Sequence, residues 1–371
     1  MARIIKVGAG GDELDWHRAL KDLRADDVIM LEPGFYELPQ GLTLTDITFK
    51  GMGSSPEDTT ILGYIGVSEN SRFVNLENLC INTITDNNSL MIPHNADSYL
   101  SLRNCIIKGT NTDTAAIAVN GKATLELYST KVLNGSISMY AASDFRLEMN
   151  DSYVDYPSDE FCALALEGKG TAIINNSRVR GATNTFEDTN MELDINNSQL
   201  DYMLLRGQTW LNMLNTSLSS FEDVCLYIGD SCWSNIVGSS FNGGVYLDSE
   251  TRTIIQNCKI NRLMVVDKSK LTMTNTEVVA HADFQDNTVA DVTRGSFNGN
   301  MDYEYFLALD GHAKLSGHNL VLNSNDSQLA IKEDAKINAN VLLSDQTSLE
   351  IECDNPNNVK IMGVQWTVRK K

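Results

Sequence analysis

Several phrases of this chain share one grammar: ATLELYSTKV, FRLEMNDSYV, TAIINNSRV, MELDINNSQL, TRTIIQNCKI and KLTMTNTEV. In each, apolar and polar residues alternate; then come a residue that is most often Asn or Asp, a small residue, one residue more, and a closing aliphatic. Alternation of period two is that of a strand burying one face. Taking the residue two before the closing aliphatic as an anchor gives Leu79, Cys105, Thr130, Ser152, Ser177, Ser198, Thr216, Ser239, Cys258, Thr276, Gly295, His318 and Ala335. First and last lie 256 residues apart over 12 intervals. The mean of about 21 residues falls where self-similarity signals a solenoid. Intervals from 17 to 26 exclude helical repeats of fixed length and suit coils that lengthen at loops.

The residue before the anchor is Asn or Asp in nine of the 13 repeats and Gly in two more, Gly238 and Gly317. These types tolerate the left-handed backbone best, so the position predicts a sharp corner between strands. Stacked copies would put Asn on Asn about 4.8 Å apart, with amides bonded along the stack, and 13 coils would make a rod of roughly 60 Å. Strands this short bury their inner face only when each coil roofs the next. The pattern, from about Arg3 to Cys353, resembles the right-handed parallel β-helix of the pectate-lyase-like superfamily, in which an asparagine ladder at one corner is familiar. The expectation is an all-β, single-stranded parallel β-helix of about 13 coils.

The segment Asp12 to Leu23, DELDWHRALKDL, predicts a short amphipathic helix capped by Asp12, with Trp16, Leu20 and Leu23 on one side. It follows the strand IIKV and precedes DDVIMLEPGFYEL, a strand, a Pro33-Gly34 turn and another strand. This order is similar to the capped N-terminus of pectin-lyase-like β-helices, and a cap covers core and edge groups that would recruit other chains. Residues 1–60 thus read as N-terminal strand, capping helix and first coils, 61–353 as the β-helix, and 354–371, with Trp366 and the Arg369-Lys370-Lys371 tail, as a C-terminal cap.

Composition narrows the function classes. Lys and Arg total 29 against 49 Asp and Glu, a net charge of −20, which repels nucleic acid and anionic lipid. It also opposes a polyanionic glycan unless a local basic groove or Ca²⁺ bridges the two. No apolar run approaches the roughly 18 residues of a membrane span, so no membrane insertion is expected. The opening MARIIKVGAGGDELDW has no apolar signal core, so the expected address is the cytoplasm, with export lacking a cleaved signal, or a phage particle, left open. The seven cysteines are odd in number and widely spaced, which predicts reduced, buried thiols rather than disulfides or zinc. Gly8-Ala9-Gly10-Gly11 lacks the third glycine of a dinucleotide fingerprint and reads as a turn.

The enzyme groups that the resemblance brings in leave little trace. Methylesterase-like and mannuronan-epimerase-like strings are missing, and of the polygalacturonase-like set only Asn111-Thr112-Asp113 and the Gly-His pairs at 311–312 and 317–318 occur. A lyase needs only a base, often Arg or Lys, near carboxylates that hold Ca²⁺. Seven or eight residues past the anchors lie Asp113, Asp159, Asp223, Asp283 and Asp302, with Asp188 after a longer loop. Asp159 with Asp188, and Asp283 with Asp302, are the pairs that consecutive coils could bring to about 5 Å, to share a proton or Ca²⁺. Arg178, Arg180 and Arg206 are the candidate bases or clamps. An Asp that caps a solvated turn is the plainer reading of every one of these acids. Asp302-Tyr303-Glu304-Tyr305 and Trp210 offer rings for sugar stacking, His318 is expected to point inward at its corner, and His281 and His312 lie without metal-site spacing. Two functions follow: a non-catalytic β-helix presenting long faces to a protein or glycan, needing no cofactor, or a carbohydrate-active lyase, hydrolase or epimerase on an acidic polysaccharide, with Ca²⁺ as its one plausible cofactor.

Overall fold

The structure, a computed structural model, describes residues 3–8, 15–110, 114–140, 144–158, 160–220, 223–325, 327–345 and 348–369. The Gly8–Gly11 turn beyond Gly8, the Asp12 cap, Asn111-Thr112-Asp113, Asp159 and Lys370-Lys371 lie outside these residues. Contacts divide the chain into two compact units, Met1–Asp194 and Ile195–Lys371. The described strands form a parallel β-solenoid of about 15 turns, against the expected 13. The extra turns include the N-terminal coils, where Val28–Leu31 pairs with Ile47–Gly51 and that with Phe73–Glu77. The phrases at Val28–Leu31 and Ile47–Gly51 do not follow the repeat's grammar, which begins with Phe73–Glu77 and its corner at Asn78.

Every coil offers three strand segments, here called the first, second and third faces. The first ends at the asparagine corner, the second is short, and the third runs to a second corner. In the first unit, Asp97–Arg103, Lys122–Tyr128, Asp144–Asn150 and Lys169–Asn175 form one first-face stack, with Leu100, Leu125, Leu147 and Ala172 in one inward column. In the second unit, Met213, Ile236, Ile255, Met273 and Val292 form an equivalent column. All of these are at most 2% exposed, so the alternation read in sequence marks the core face.

The corner is left-handed, as its residue types predict. In the first unit φ is 51° at Asn78, 50° at Asn104, 51° at Asp151 and 48° at Asn176; in the second it is 50° at Asn197, 49° at Asn215, 54° at Asn257 and 50° at Asn275. Asn104 Nδ2 donates to Asn78 Oδ1 at 2.8 Å, and Asn275 Nδ2 to Asn257 Oδ1 at 2.7 Å. Inside the corner runs a second relay, which explains the small anchor. Ser152 N–H donates to Ser177 Oγ at 3.0 Å while Ser177 Oγ donates to Asn175 O at 2.7 Å. In the second unit Thr216 N–H donates to Ser239 Oγ at 3.1 Å and Cys258 N–H to Thr276 Oγ1 at 3.2 Å. A left-handed residue turns the next N–H away from the strand ladder, and the neighbouring coil's hydroxyl or thiol accepts it.

All seven cysteines are free, five buried and Cys162 and Cys353 half-buried. Burial pushes Cys105 up to about 12 and Cys225 and Cys232 up to about 11, so these thiols stay protonated.

Three expectations are corrected. His318 is exposed: the left-handed residue in its coil is Asn319, so the anchor is the buried Leu320, two residues later. Ala335 is buried but follows Glu333, at φ 50°, in the second corner, where Thr251, Ser269 and Thr288 are its counterparts. The helix is Trp16–Lys21, capped by Asp15, whose side chain accepts Arg18 N–H. It buries Trp16 and Ala19 rather than Leu20 and Leu23, because Leu23 falls beyond so short a helix. Trp16 sets its edge against Tyr36 at 5.1 Å and Phe49 at 6.0 Å.

Replacing Ser177 with Ala leaves the buried Ser152 N–H without its acceptor and should cost about 1–3 kcal/mol in denaturant unfolding. Ser177→Cys, which restores the arrangement Cys258 uses, should recover part of that loss.

Candidate functional site

The acids read in sequence do not gather into one centre. Asp188 is exposed in the turn that Thr189 Oγ1 closes by accepting Phe186 N–H at 2.9 Å. Asp223 is 92% exposed and pairs with Arg262 at 3.0 Å. Asp302 lies in a turn and accepts Asn300 Nδ2 at 3.1 Å. Asp283 sits on a third-face strand, where its stacking neighbours are Met264 and Ala308, so the coils do not stack it on Asp302. Arg178 lies over the Tyr153 ring at 5.9 Å, Arg180 pairs with Asp155 at 3.4 Å, and Arg206 lies over Tyr227 at 5.9 Å. Among the described residues no three His, Cys, Asp or Glu side chains gather where they could hold a metal ion.

Two outward faces of the second unit carry the remaining chemistry. On the third face Tyr227 and Tyr246 stack at 5.3 Å and His281 stacks on Tyr303 at 5.2 Å. Tyr227 donates to Asp248 Oδ2 at 2.6 Å, and Tyr305 donates to Glu352 at 3.0 Å. Lys332 Nζ lies 4.7 Å over the Tyr305 ring. Burial pushes the Asp248 carboxyl up, but hydrogen bonds from Tyr227, Asp267 and Ser249 outweigh this and hold it below the usual range. Its bond to Asp248, with burial and the charges of Asp248 and Asp286, raises Asp267. Burial raises Asp283, against a hydrogen bond from Gln285 and the charge of His281. The rings cover one another and the polar groups are bonded within the face.

The first face differs. Register places Trp210, Trp233, Arg252, Lys270, Val289, Lys314 and Lys336 in a single outward column, one per coil. Seven rungs at about 4.8 Å extend it over roughly 30 Å. Trp210 is 60% exposed, and its ring centroid is 5.6 Å from that of the half-buried Trp233, tilted 43°. The four cations are exposed and make no ion pair with a described residue. Three other cations of this unit are engaged, Lys259 with Glu277, Arg262 with Asp223 and Lys268 with Glu250. Beside the column runs a mainly neutral polar one, Asn235, Ile254, Thr272, Asp291, Ser316 and Asn338. In the first unit the first-face column at the same distance from the asparagine corner is Tyr99, Thr124, Arg146 and Thr171, with a single cation, and the column two residues before it alternates in sign, Asp97, Lys122, Asp144, Lys169.

Sequence reasoning passed over this column although a signal exists. Each member directly follows a small buried residue at the second corner: Thr209-Trp210, Cys232-Trp233, Thr251-Arg252, Ser269-Lys270, Thr288-Val289, Ala313-Lys314, Ala335-Lys336. The repeat's grammar is keyed to the asparagine corner, and loops of unequal length blur the other one.

The described strands of the chain wind as a parallel β-helix. No protein-family model and no curated protein matches the sequence. Among solved structures it is similar to a PL6 family alginate lyase, AlyGC, with 10% identity over 97% of this chain and 75% of that one, at a TM-score of 0.49. It is also similar to PfbA, a surface adhesin of Streptococcus pneumoniae (10% identity, 98% and 93% covered, TM-score 0.30). A third is the A-module of an Azotobacter vinelandii mannuronan C-5 epimerase (9% identity, 92% and 91% covered, TM-score 0.30). No helix among the described residues is long and apolar enough to cross a membrane.

Asp283, with its carboxyl raised by burial, weakens the fold as pH rises from the ordinary carboxylate range through its own raised value. Asp283→Asn should therefore melt higher than the parent at neutral pH. The gap should close on acidification below the unfolded-state value, as followed by thermal melts across pH.

Proposed function

We propose that this chain is a non-catalytic binding β-helix that holds an extended partner, protein or glycan, along the first face of its second unit. The observation that carries the reading is the contrast between two faces of the same coils. On the third face, rings and ionisable groups are committed to each other, as in Tyr227 with Asp248, Tyr305 with Glu352 and His281 with Tyr303. On the first face, four exposed cations make no ion pair with a described residue, and the Trp210 indole, though tilted against Trp233, stays 60% exposed. Groups left uncommitted on a rigid sheet can engage a ligand without first breaking internal contacts. A flat, ladder-like surface also suits an elongated partner more than a small substrate that needs enclosure.

The second reading is a carbohydrate-active enzyme on an acidic polysaccharide. Asp283 favours it, being half-buried with a raised carboxyl near His281 and Lys332, a poise suited to proton transfer.

Incubation with polyuronates, with and without Ca²⁺, separates the two. Binding alone predicts no absorbance of unsaturated sugars and no new reducing ends. Turnover that Asp283→Asn abolishes would replace the binding reading with the enzymatic one.

A further inference from the structure

Resting on the binding reading above, we infer that the column from Trp210 to Lys336 is a docking strip for a linear polysaccharide bearing an anionic group, carboxylate or sulfate, on successive sugars. Three features select that chemistry. The cations Arg252, Lys270, Lys314 and Lys336 recur in register along a straight line, which matches a polymer with periodic charge better than a compact anion. Trp210 and Trp233 stand at one end of the same line, where an indole face packs on the C–H face of a sugar ring, so the partner needs both flat apolar faces and anions. The adjoining column supplies neutral hydrogen-bonding groups, Asn235, Thr272, Ser316 and Asn338, that suit hydroxyls.

The acids at the neighbouring corner have partners of their own, although the charge of Lys270 also reaches Glu250. At the second corner Glu250 pairs with Lys268 at 2.8 Å, Asp230 accepts Gly207 N–H at 2.8 Å, and Asp286 accepts Asp267 N–H at 3.4 Å. Asp334 stands 3.7 Å from His312. Asp291, in the neutral column, is the one acid among the strip's immediate strand neighbours, and it lies in the coil where Val289 interrupts the cations. That rung breaks the run of positive charge. Nucleic acid also combines rings with anions, but its denser charge meets the net −20 of the chain less favourably. The strip lies away from the acids Asp223 and Asp283, so it is separate from any chemistry on the third face.

The test uses the full chain and immobilised polygalacturonate, alginate, a sulfated glucan, neutral glucan, single-stranded DNA and polyphosphate. Binding should be confined to the carboxylated or sulfated glycans and should weaken steeply between about 0.05 and about 0.5 M salt. The double variant Lys270→Glu with Lys314→Glu should bind at least roughly tenfold more weakly and show a shallower salt dependence. Trp210→Ala should weaken binding while keeping the salt slope, and Lys169→Glu, in the first unit, should change neither. Because all these positions are exposed on strand faces, unchanged denaturant unfolding verifies that each variant is folded. Retention of neutral glucan that depends on Trp210 and ignores salt would overturn the anionic assignment but leave the binding face standing. Equal retention of DNA or polyphosphate would overturn the glycan assignment. Glycan binding untouched by every strip variant would overturn both this inference and the choice of face.

Discussion

The structure depends on how a parallel coil disposes of the backbone group that its sharpest bend turns out of line. A left-handed residue at each corner sends the following N–H inward, where water cannot reach it, and an unpaired donor there costs more than a single hydrogen bond returns. The anchor of the next coil supplies the acceptor: Ser177 for Ser152, Ser239 for Thr216, Thr276 for Cys258. Asn is favoured just outside because it tolerates the backbone and its amide bonds to the amide stacked on it. Corner and anchor are thus one device with a polar outer rail and a buried inner rail. Where a rail fails locally the coil persists, since Ser129 and Arg294 hold the same left-handed bend without an amide.

With backbone and core settled by this device, the outward columns are free to carry different charge patterns. In the first unit the outer residues neutralise one another: Lys50 pairs with Glu77 at 2.9 Å, Lys122 with Asp97 at 3.8 Å, and Arg103 packs on Tyr128 at 4.5 Å. Such exposed pairs add little stability, but they leave few uncommitted charges. In the second unit the outer first-face column carries cations on two pairs of adjacent rungs, Arg252 with Lys270 and Lys314 with Lys336, either side of the Val289 rung. Like charges about 4.8 Å apart repel modestly in water, so a column of them is a small cost to the free protein that an anionic partner would relieve. The third face takes the opposite course, with Tyr227 bonded to Asp248, Tyr305 to Glu352 and His281 stacked on Tyr303.

The fold was legible because its signals are local. Alternation gives strands, Asn or Asp before a small residue gives corners, and recurrence gives coils; none of these needs knowledge of distant contacts. Errors arose where local signals duplicate. Ala335 follows Asp334 as the asparagine-corner anchors follow Asn or Asp, yet the left-handed residue is Glu333, one earlier, and the corner is the other one, and in the coil of His318 two candidate corner residues, Gly317 and Asn319, stand two apart. The site was far less legible. Counting from the anchors to Asp283 and Asp302 assumes equal loops, whereas the intervening turns differ in length, so the coils set Asp283 on Met264 and under Ala308.

The sequence alone determined that this chain winds into stacked parallel coils with an asparagine-bearing corner and reduced thiols, because those properties follow from residues within one turn of each other. Only the tertiary structure decided which outward residues align. Trp210, Trp233, Arg252, Lys270, Val289, Lys314 and Lys336 are separated by 18 to 25 residues, and register across the coils brings them into one line. Register is a sum of all loop lengths and bulges between coils, and a slip of one residue would turn each of these side chains into the core.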